Sequence, residues 1–233
     1  MMLKILDLPC VKYKKAWDLQ LYLHSLRKED KIPDVLILLE HHPVITLGRF
    51  GKEENLLKSI EELNRLGIDF YRIERGGDIT YHGPGQLVGY FSFKINKVKE
   101  FIYKIERSIQ ELLRKYGINS EIIKEYPGVW VGNRKICAIG LAVKNHVSLH
   151  GFALNVNNDL QPFSYIIPCG LKDKEVTSML KELKIPLHLY EVKRDFINVF
   201  TTIFGFEEFQ VIKISEEMID QNPDKLLEVL LSP

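Results

Sequence analysis

The sequence predicts an α/β (α+β) fold, a single domain with a mixed, mainly antiparallel β-sheet flanked by helices. Strand-like segments dominate the middle of the chain, whereas helical spacing dominates both ends. Apolar residues make up 45% of the 233 residues, which is enough to bury one sizeable core. Because no repeat, low-complexity tract or Gly/Ser linker divides the chain, we expect one domain over residues 1–233, with a core at about 30–205 and a C-terminal helical part at about 206–233.

Each element is predicted from its local pattern, in chain order. Lys12–Arg27 has helical spacing, and Val35–Glu40 is a mostly apolar run of the kind found in a strand buried on both faces. Gly132 and Asn133 form a two-residue turn that predicts a β-hairpin. Further segments follow the same patterns: strands at 44–47, 86–93, 135–143 and 148–155, and helices at 59–66, 101–116, 173–183, 188–204 and 215–231.

Charge and apolar runs disfavour several classes of protein. The 32 Lys and Arg residues nearly balance the 31 Asp and Glu residues, so a nucleic-acid binder that relies on phosphate neutralisation is disfavoured. The longest aliphatic run, Val35–Leu39, is far too short to span a bilayer, and we expect no membrane association. The N-terminal residues lack the apolar stretch of a signal peptide, so we expect a cytoplasmic protein.

The three cysteines, Cys10, Cys137 and Cys169, form no C-x-x-C motif. A disulfide framework and a zinc knuckle are therefore both disfavoured, and a reducing compartment fits the chain. Cys169 follows Pro168 and precedes the helix predicted from about residue 173, and the positive field at a helix N-terminus favours a reactive thiolate. The alternative is that Cys169 is a small buried apolar residue, as we expect of Cys10 and Cys137.

A glycine-rich loop extends from Arg75 to Tyr90 and contains five of the 15 glycines. Its G-x-G-x-x-x-G spacing differs from the dinucleotide-binding motif, and a strand is predicted after it. The chain also lacks a G-x-x-x-x-G-K-[ST] motif, so ATP binding by either kind of loop is not supported. Tight turns between strands would explain the glycines. A loop that lines a ligand site is favoured because hydrogen-bonding side chains accompany them: Arg75, Asp78, Thr80, Tyr81, His82 and Gln86.

A nucleophilic cysteine needs a base, and the sequence offers histidines and a lysine. His82 and His150 lie in polar segments that contain glycine and are eligible, whereas the pair His41–His42 is expected in a turn with a solvated or capping role. Lys135 enters an apolar strand after the hairpin turn, where burial would make proton transfer at neutral pH feasible. An exposed hairpin lysine is the alternative, and spacing alone leaves both open. No metal-ligand spacing occurs, so we expect no metal site.

Six segments together resemble the lipoyl(octanoyl) transferases, which are related to the lipoate- and biotin-protein ligases. The segments cover roughly residues 35–180 in the family's order, and the ordered set is far more specific than any one of them. They are E-H-H-P-V-I-T-L-G-R (40–49), the glycine-rich loop (75–90), P-G-V-W-V (127–131), K-I-C-A-I-G (135–140), H-G-F-A-L-N-V (150–156) and I-P-C-G-L (167–171). The resemblance implies a biotin/lipoate protein ligase-like fold.

The resemblance also implies a catalytic acyltransferase domain of lipoic acid biosynthesis that uses no cofactor. Such an enzyme takes the octanoyl group from octanoyl-acyl carrier protein. It attaches the group to a lysine of a lipoyl domain, either in the E2 subunits of 2-oxo acid dehydrogenases or in the glycine cleavage H protein. Cys169 is implied to form the acyl-thioester, and Lys135 to lower the pKa of this thiol and to transfer protons as a general acid and base. The residues implied to bind the acyl group are Arg75, Gly76, Gly77, Asp78, Ile79, Thr80, Tyr81, His82, Ala138, Ile139, Gly140, Gly151, Phe152 and Ala153.

Three other functions compete with this interpretation. An ATP-dependent lipoate- or biotin-protein ligase on the same scaffold would need no nucleophilic cysteine, and the P-C-G segment favours the transferase. A non-enzymatic module that binds acyl groups or lipoyl domains would form no covalent adduct, and a cysteine hydrolase would release free octanoate. Because acyl carrier proteins are acidic, we also expect a local basic patch on this nearly neutral chain. Its candidates are Arg49, Lys52, Arg72 and Lys144.

Overall fold

The computed structural model describes residues 2–168, 174–221 and 223–232. The strands in these ranges are β1 (Leu3–Val11), β2 (Asp34–His41), β3 (Val44–Leu47), β4 (Asp69–Arg72), β5 (Ile79–His82), β6 (Gln86–Ser92), β7 (Glu121–Ile122), β8 (Gly128–Val131), β9 (Arg134–Lys144), β10 (Val147–Asn155), β11 (Glu175–Val176) and β12 (Phe209–Lys213). The helices are α1 (Tyr13–Lys28), α2 (Ile60–Arg65), α3 (Val98–Lys115), α4 (Met179–Leu183), α5 (Leu189–Phe204), α6 (Glu216–Gln221) and α7 (Pro223–Leu231).

The strands form two sheets. Within the described ranges the larger sheet has nine strands in the order β12-β1-β2-β6-β10-β9-β8-β7, with β11 paired beside β9. β1 is parallel to both β12 and β2, while all pairs from β2 through to β7 are antiparallel. The smaller sheet has the order β4-β3-β5. This mixed, mainly antiparallel sheet flanked by helices confirms the fold class predicted from the sequence.

Two apolar layers hold the helices on the two faces of the larger sheet. In β2, Leu36 and Leu38 enter one layer while Val35, Ile37 and Leu39 enter the other, as the two-residue period of a strand requires. The first layer packs under α3 and α5, and the second under α1, α6 and α7. Both faces of β2 are covered by these layers, so nearly every side chain of the strand must be apolar. This explains the apolar run that predicted it.

A third apolar cluster joins the smaller sheet to the chain that leads to residue 168. Ile79 and Tyr81 of β5 pack there with Phe163 and Ile166, and the rings of Tyr81 and Phe163 meet edge-on at 5.5 Å. Phe163 lies in a short 3-10 helix, Gln161–Tyr165, which follows the end of β10. The cluster therefore holds the segment just before residue 168 beside β5.

Several predicted elements differ from the structure. The helix expected over 173–183 is, in its described part, the strand β11 followed by α4, which begins after the N-cap residue Ser178. The helix expected over 215–231 is divided into α6 and α7. The strands β1 and β12 were not predicted. They pair with each other across about 200 positions of the chain, and a local sequence pattern gives no signal for such a distant pair.

Phe200 lies at the centre of the aromatic packing under α5, and its loss should destabilise the fold strongly. Its ring is fully buried and lies 4.2 Å from Phe204 and 5.5 Å from Phe196, centroid to centroid. We predict that Phe200→Ala lowers the free energy of unfolding in urea by about 3–5 kcal/mol, because a cavity remains. The matched change Tyr190→Ala, on an exposed position of the same helix, should cost about 0.5 kcal/mol or less. Equal losses in both variants would contradict this assignment of the core.

Candidate active site

A cavity of about 500 Å³ lies between the glycine-rich loop and the β9–β10 hairpin. The start of the loop covers one side of the cavity, and the small residues of the two strands form the other. Most of the residues that the sequence selected for acyl binding border it, together with Lys135: Arg75, Gly76, Gly77, Asp78, Ile79, Thr80, His82, Ala138, Ile139, Gly140, Gly151, Phe152 and Ala153. Tyr81 does not border this cavity, because its ring packs against Phe163 in the smaller sheet.

Two facing pairs of small residues contribute to the strand side of the cavity. Ala138 pairs with Ala153 across β9 and β10, and Gly140 pairs with Gly151 two residues further on. A Cβ atom on Gly140 would lie only 2.8 Å from the carbonyl oxygen of Gly76. Glycine at this position therefore lets the loop backbone approach β9 closely.

Hydrogen bonds hold the beginning of the glycine-rich loop against both sheets. The backbone N–H of Gly76 donates to the carbonyl of Leu141 in β9 at 2.9 Å. The buried guanidinium of Arg75 donates to the carbonyl of Thr46 in β3 at 2.7 Å and to its hydroxyl at 3.0 Å. Because arginine presents several donors in a rigid fork, one side chain fixes both the loop and the smaller sheet.

Lys135 is a buried basic residue of this region. Its residue is 9% exposed, its Nζ donates to the carbonyl of Pro127 at 3.4 Å, and it lies 4.7 Å from the ring centroid of Trp130. A second, small cavity is bordered by Lys135, Thr80, Ala138 and Pro168 among others. Of the two positions considered for this lysine, exposed or buried, the structure shows the buried one.

A chain of buried amides supports the backbone of Lys135. Gln86 donates from its amide to the side-chain oxygen of Asn155 at 2.9 Å, and Asn155 donates to the carbonyl of Thr177 at 2.9 Å. The N–H of Thr177 in turn donates to the carbonyl of Lys135 at 3.0 Å. Neither Asn155 nor Thr177 was selected from the sequence as a site residue. The signal for Asn155 was its place in the H-G-F-A-L-N-V segment, at the end of a strand.

Asp78 connects the glycine-rich loop to the segment that ends at Pro168. Its carboxylate accepts from the side-chain amide of Asn55 at 2.5 Å, and the carbonyl of Asn55 accepts from the N–H of Ile167 at 2.8 Å. The loop and this segment are thus coupled through one asparagine. Sequence reasoning missed Asn55, which lies in a 3-10 turn (Glu53–Asn55) that carries no motif.

Cys169, the predicted nucleophile, lies outside the described residues. The sequence predicted a helix from about residue 173, whose N-terminus would favour the Cys169 thiolate. The first helix described after Cys169 begins only at Met179 and has five residues, so it does not fill that role. Cys137 is fully buried, and desolvation raises the pKa of its thiol far above the usual range. Burial, with a smaller contribution from Glu40, also raises the pKa of the Cys10 thiol. At neutral pH these two thiols therefore form less thiolate than an ordinary thiol, in line with their structural interpretation.

His41 does not lie in a solvated turn, as the sequence had suggested, but is fully buried at the end of β2. Its Nδ1 lies 3.0 Å from the carbonyl of Val11, and its Nε2 lies 2.7 Å from the hydroxyl of Tyr90. Desolvation lowers the pKa of His41 to about 4 and that of His82 to about 3. Both rings are therefore neutral at physiological pH, and His82 is not a cation beside the cavity.

The described ranges were compatible with neither metal clusters nor membrane spans. They contain no group of three or more His, Cys, Asp or Glu residues that could hold a metal ion. In the same part of the chain, no helix combines the length and the apolar character that crossing a membrane requires.

Comparison with solved structures defines the class of fold. The chain matches the structure of the T. acidophilum protein Ta0514, a lipoate protein ligase with bound lipoic acid, with a TM-score of 0.73 at 18% identity. The match covers 99% of this chain and 95% of that one. Lipoate-protein ligase A bound with ATP matches with a TM-score of 0.73 at 17% identity, covering 98% of this chain and 95% of that one. The fold is therefore that of the lipoate protein ligases.

Sequence comparison narrows this class to a family. The model of the lipoyl protein ligase A/B catalytic domain matches residues 12–201, and the chain belongs to this family. It is 60% identical to the octanoyltransferase of Dictyoglomus thermophilum, covering 94% of this chain and 95% of the relative. It is 46% identical to the octanoyltransferase of Caldicellulosiruptor saccharolyticus, covering 93% of this chain and 98% of the relative. The family resemblance and the acyltransferase activity predicted from the sequence are confirmed.

The buried neutral histidines should make the fold sensitive to acid. The pKa values of His41 and His82 in the folded chain lie below the ordinary value of 6.5. The unfolded chain therefore binds more protons as the pH falls through 6.5, and folding stability is lost. We predict that the free energy of unfolding falls by about 2 kcal/mol per histidine between pH 6.5 and about pH 5.

Variants of the adjacent histidines separate this effect from general acid denaturation. In His41→Gln, unfolding should take up about one proton fewer in this range, and the slope of the unfolding free energy against pH should fall in proportion. His42→Gln, at an exposed position, should leave the slope as it is in the natural chain. An unchanged slope in His41→Gln would contradict the assignment of a neutral buried ring.

Proposed function

We propose that this chain transfers an octanoyl group from octanoyl-acyl carrier protein to a lysine of a lipoyl domain, through a thioester on Cys169. Relatives named octanoyltransferase at 41–60% identity support the acyl group. A structural neighbour, described as a bi-partite lipoate protein ligase with its E2 lipoyl domain from Thermoplasma acidophilum, supports a lipoyl domain as acceptor. Within this proposal, E2 subunits of 2-oxo acid dehydrogenases and the glycine cleavage H protein are the candidate acceptors.

The observation that carries the proposal is the shared cavity of Lys135 and Pro168. Cys169 follows Pro168 directly in the sequence, and consecutive Cα atoms are only about 3.8 Å apart. A buried ammonium near a thiol favours the thiolate, which is the nucleophilic form. The N–H of Thr177 donates to the carbonyl of Lys135, and the carbonyl of Thr177 accepts from Asn155, so the amide network holds the backbone of the lysine in place.

The proposed reaction has two acyl transfers. The Cys169 thiolate attacks the carbonyl carbon of the carrier thioester, and the carrier thiolate leaves. Lys135 donates a proton to this leaving thiolate. The lysine amine of the acceptor then attacks the enzyme thioester, the amide forms, and the Cys169 thiolate is released while neutral Lys135 takes the proton of the amine. No nucleotide is consumed because the donor carbonyl is already activated, and the product amide is the stable end point.

The larger cavity accounts for the binding of the acyl chain in this proposal. Ala138 and Ala153 lie near Lys135, and Gly140 and Gly151 continue the same lining away from it. A cavity with alanine and glycine in its strand wall leaves room for an extended hydrocarbon chain. Arg49 and Lys52 are exposed close to the loop, so they remain candidates for contact with an acidic carrier protein. Lys52 and Arg72 each have a nearby carboxylate, on Glu54 and Glu53, which weakens their field.

Intact mass spectrometry tests the thioester directly. After incubation with octanoyl-acyl carrier protein and no acceptor, the mass of the natural chain should rise by one octanoyl group, and hydroxylamine should remove it. Cys169→Ala should show no adduct, while the matched variant Cys10→Ala should still form it, because only one thiol is proposed to react.

The competing functions give different results in the same experiment. An adduct in Cys169→Ala would contradict the proposed nucleophile. Acyl transfer that needs ATP and free acid would indicate a ligase, and release of free octanoate in the presence of a lipoyl domain would indicate a hydrolase. No adduct and no transfer in the natural chain would indicate a binding module.

A further inference from the structure

Glu106 is a buried carboxylate beside the P-G-V-W-V segment. It lies on α3 and is 6% exposed. One of its oxygen atoms accepts from the backbone N–H of Gly128, at the start of β8, at 3.0 Å. Burying a carboxylate is costly unless a cation or hydrogen-bond donors compensate for the lost water. A carboxylate at this position therefore draws attention to the cation nearest to the same segment, which is Lys135.

The peptide bond between Pro127 and Gly128 connects this carboxylate to Lys135. Its N–H donates to Glu106, and its carbonyl, on Pro127, accepts from Nζ of Lys135 at 3.4 Å. In a trans peptide, as this one is, the N–H and the carbonyl point in opposite directions. Glu106 and Lys135 thus bind the two sides of one peptide group, and their oxygen and nitrogen atoms are no more than about 9 Å apart.

Gly128 has the backbone geometry that this bridge requires. Its φ is 126°, in the region that favours glycine, and a Cβ atom there would collide with the carbonyl oxygen of Cys137 in β9. The absence of a side chain therefore lets the peptide group lie close to β9. On another side, Nζ of Lys135 lies 4.7 Å from the ring centroid of Trp130, so the ring and the peptide carbonyl together confine the ammonium.

A carboxylate on the N–H side makes the peptide carbonyl a better partner for an ammonium. Hydrogen bonds in a chain polarise one another, so the bond from Gly128 to Glu106 strengthens the bond from Lys135 to Pro127. The anion also attracts the ammonium through space, because charges at this separation still interact inside a protein. Both effects favour the charged form of Lys135 and hold it against the carbonyl.

The other titratable groups around this pair stay the same in each comparison below. Cys137 interacts electrostatically with both side chains, but burial keeps it a neutral thiol. Close to Lys135 along β9 and β11 lie Arg134, its partner Glu182, Lys174 and Glu175. The titratable side chains that border the large cavity with Lys135 include Arg75, Asp78, His82, Glu125, Tyr126 and His150. A difference between Glu106 variants and the natural chain therefore reports the carboxylate itself.

We propose that Glu106 is a positioning residue for acyl transfer: through the Pro127–Gly128 peptide, its carboxylate keeps Lys135 charged and in place as the proton donor to the carrier thiolate. The inference deepens the proposed function and rests on it. In the first transfer, the bond from the acyl carbon to the carrier sulfur breaks and the bond to Cys169 forms. The proton passes from Nζ of Lys135 to the carrier sulfur, so acylation should slow at alkaline pH, where the ammonium loses its proton.

The pH dependence of acylation, measured in single turnovers by intact mass, tests the proposal. The acylation rate of the natural chain should fall above an alkaline midpoint, and Lys135→Met should show no such fall. Glu106→Gln should move the midpoint to lower pH by about one unit, the size expected for unit charges about 9 Å apart at an effective dielectric constant of about 20. Glu100→Gln removes an exposed carboxylate of the same helix and should leave the midpoint unchanged.

Stability separates positioning from a purely structural role. Burial raises the pKa of Glu106, so folding disfavours its carboxylate at neutral pH, and a glutamine can still accept from Gly128. Glu106→Gln should therefore unfold at no lower a urea concentration than the natural chain. If it does not fold, Glu106→Asp, whose shorter side chain withdraws the charge from the peptide, should shift the alkaline midpoint in the same direction.

The outcomes distinguish this inference from the proposed function. The same alkaline midpoint in the natural chain and in the folded Glu106 variants would overturn the inference alone, and a lower urea midpoint with that unchanged pH profile would leave Glu106 a purely structural residue. No acylation of the natural chain, or an alkaline fall that persists in Lys135→Met, would refute the proposed function and the inference with it.

Discussion

The close backbone contact between the glycine-rich loop and β9 is the constraint on which the site depends. The hydrogen bond from Gly76 to Leu141 and the absence of a side chain at Gly140 let the loop lie directly on the hairpin. Arg75 ties the same loop to the smaller sheet. Alanine and glycine in the opposite wall leave room for the cavity. One more methyl group at Gly140 would push the two backbones apart, so the width of the channel is set by the backbone itself.

Burial of polar groups shapes the chemistry on both sides of this contact. Lys135 is buried next to the ring of Trp130 and near Pro168. Elsewhere in this region, His41 and His82 are kept neutral because burial disfavours their charged forms. The cavity is thus bordered by two basic side chains, Lys135 and Arg75, and by the neutral ring of His82.

Much of this arrangement could be predicted from the sequence, because local patterns determine it. The apolar run of β2, the hairpin turn at Gly132 and the glycine-rich loop each have a short-range signal. The structure brings the loop together with β9, the second strand of that hairpin, around one cavity. Groups that act through long-range contacts could not be found in this way. His41 looked like a turn residue because its partners, Val11 and Tyr90, lie 30 and 49 positions away. Thr177 supports the site through its backbone groups, which leave no trace in side-chain patterns, and Asn55 lies in a turn that carries no motif.

The pairing of Lys135 with Cys169 is the central claim, and the pH dependence of thiol alkylation tests it most directly. The rate at which iodoacetamide modifies the peptide that contains Cys169 would be followed by mass spectrometry in the natural chain, in Lys135→Met and in the exposed control Lys28→Met. In the natural chain and the control, the alkylation midpoint should lie below the ordinary thiol value of about 8.5, and Lys135→Met should raise it by about one unit or more. The same midpoint in all three proteins would contradict the pairing.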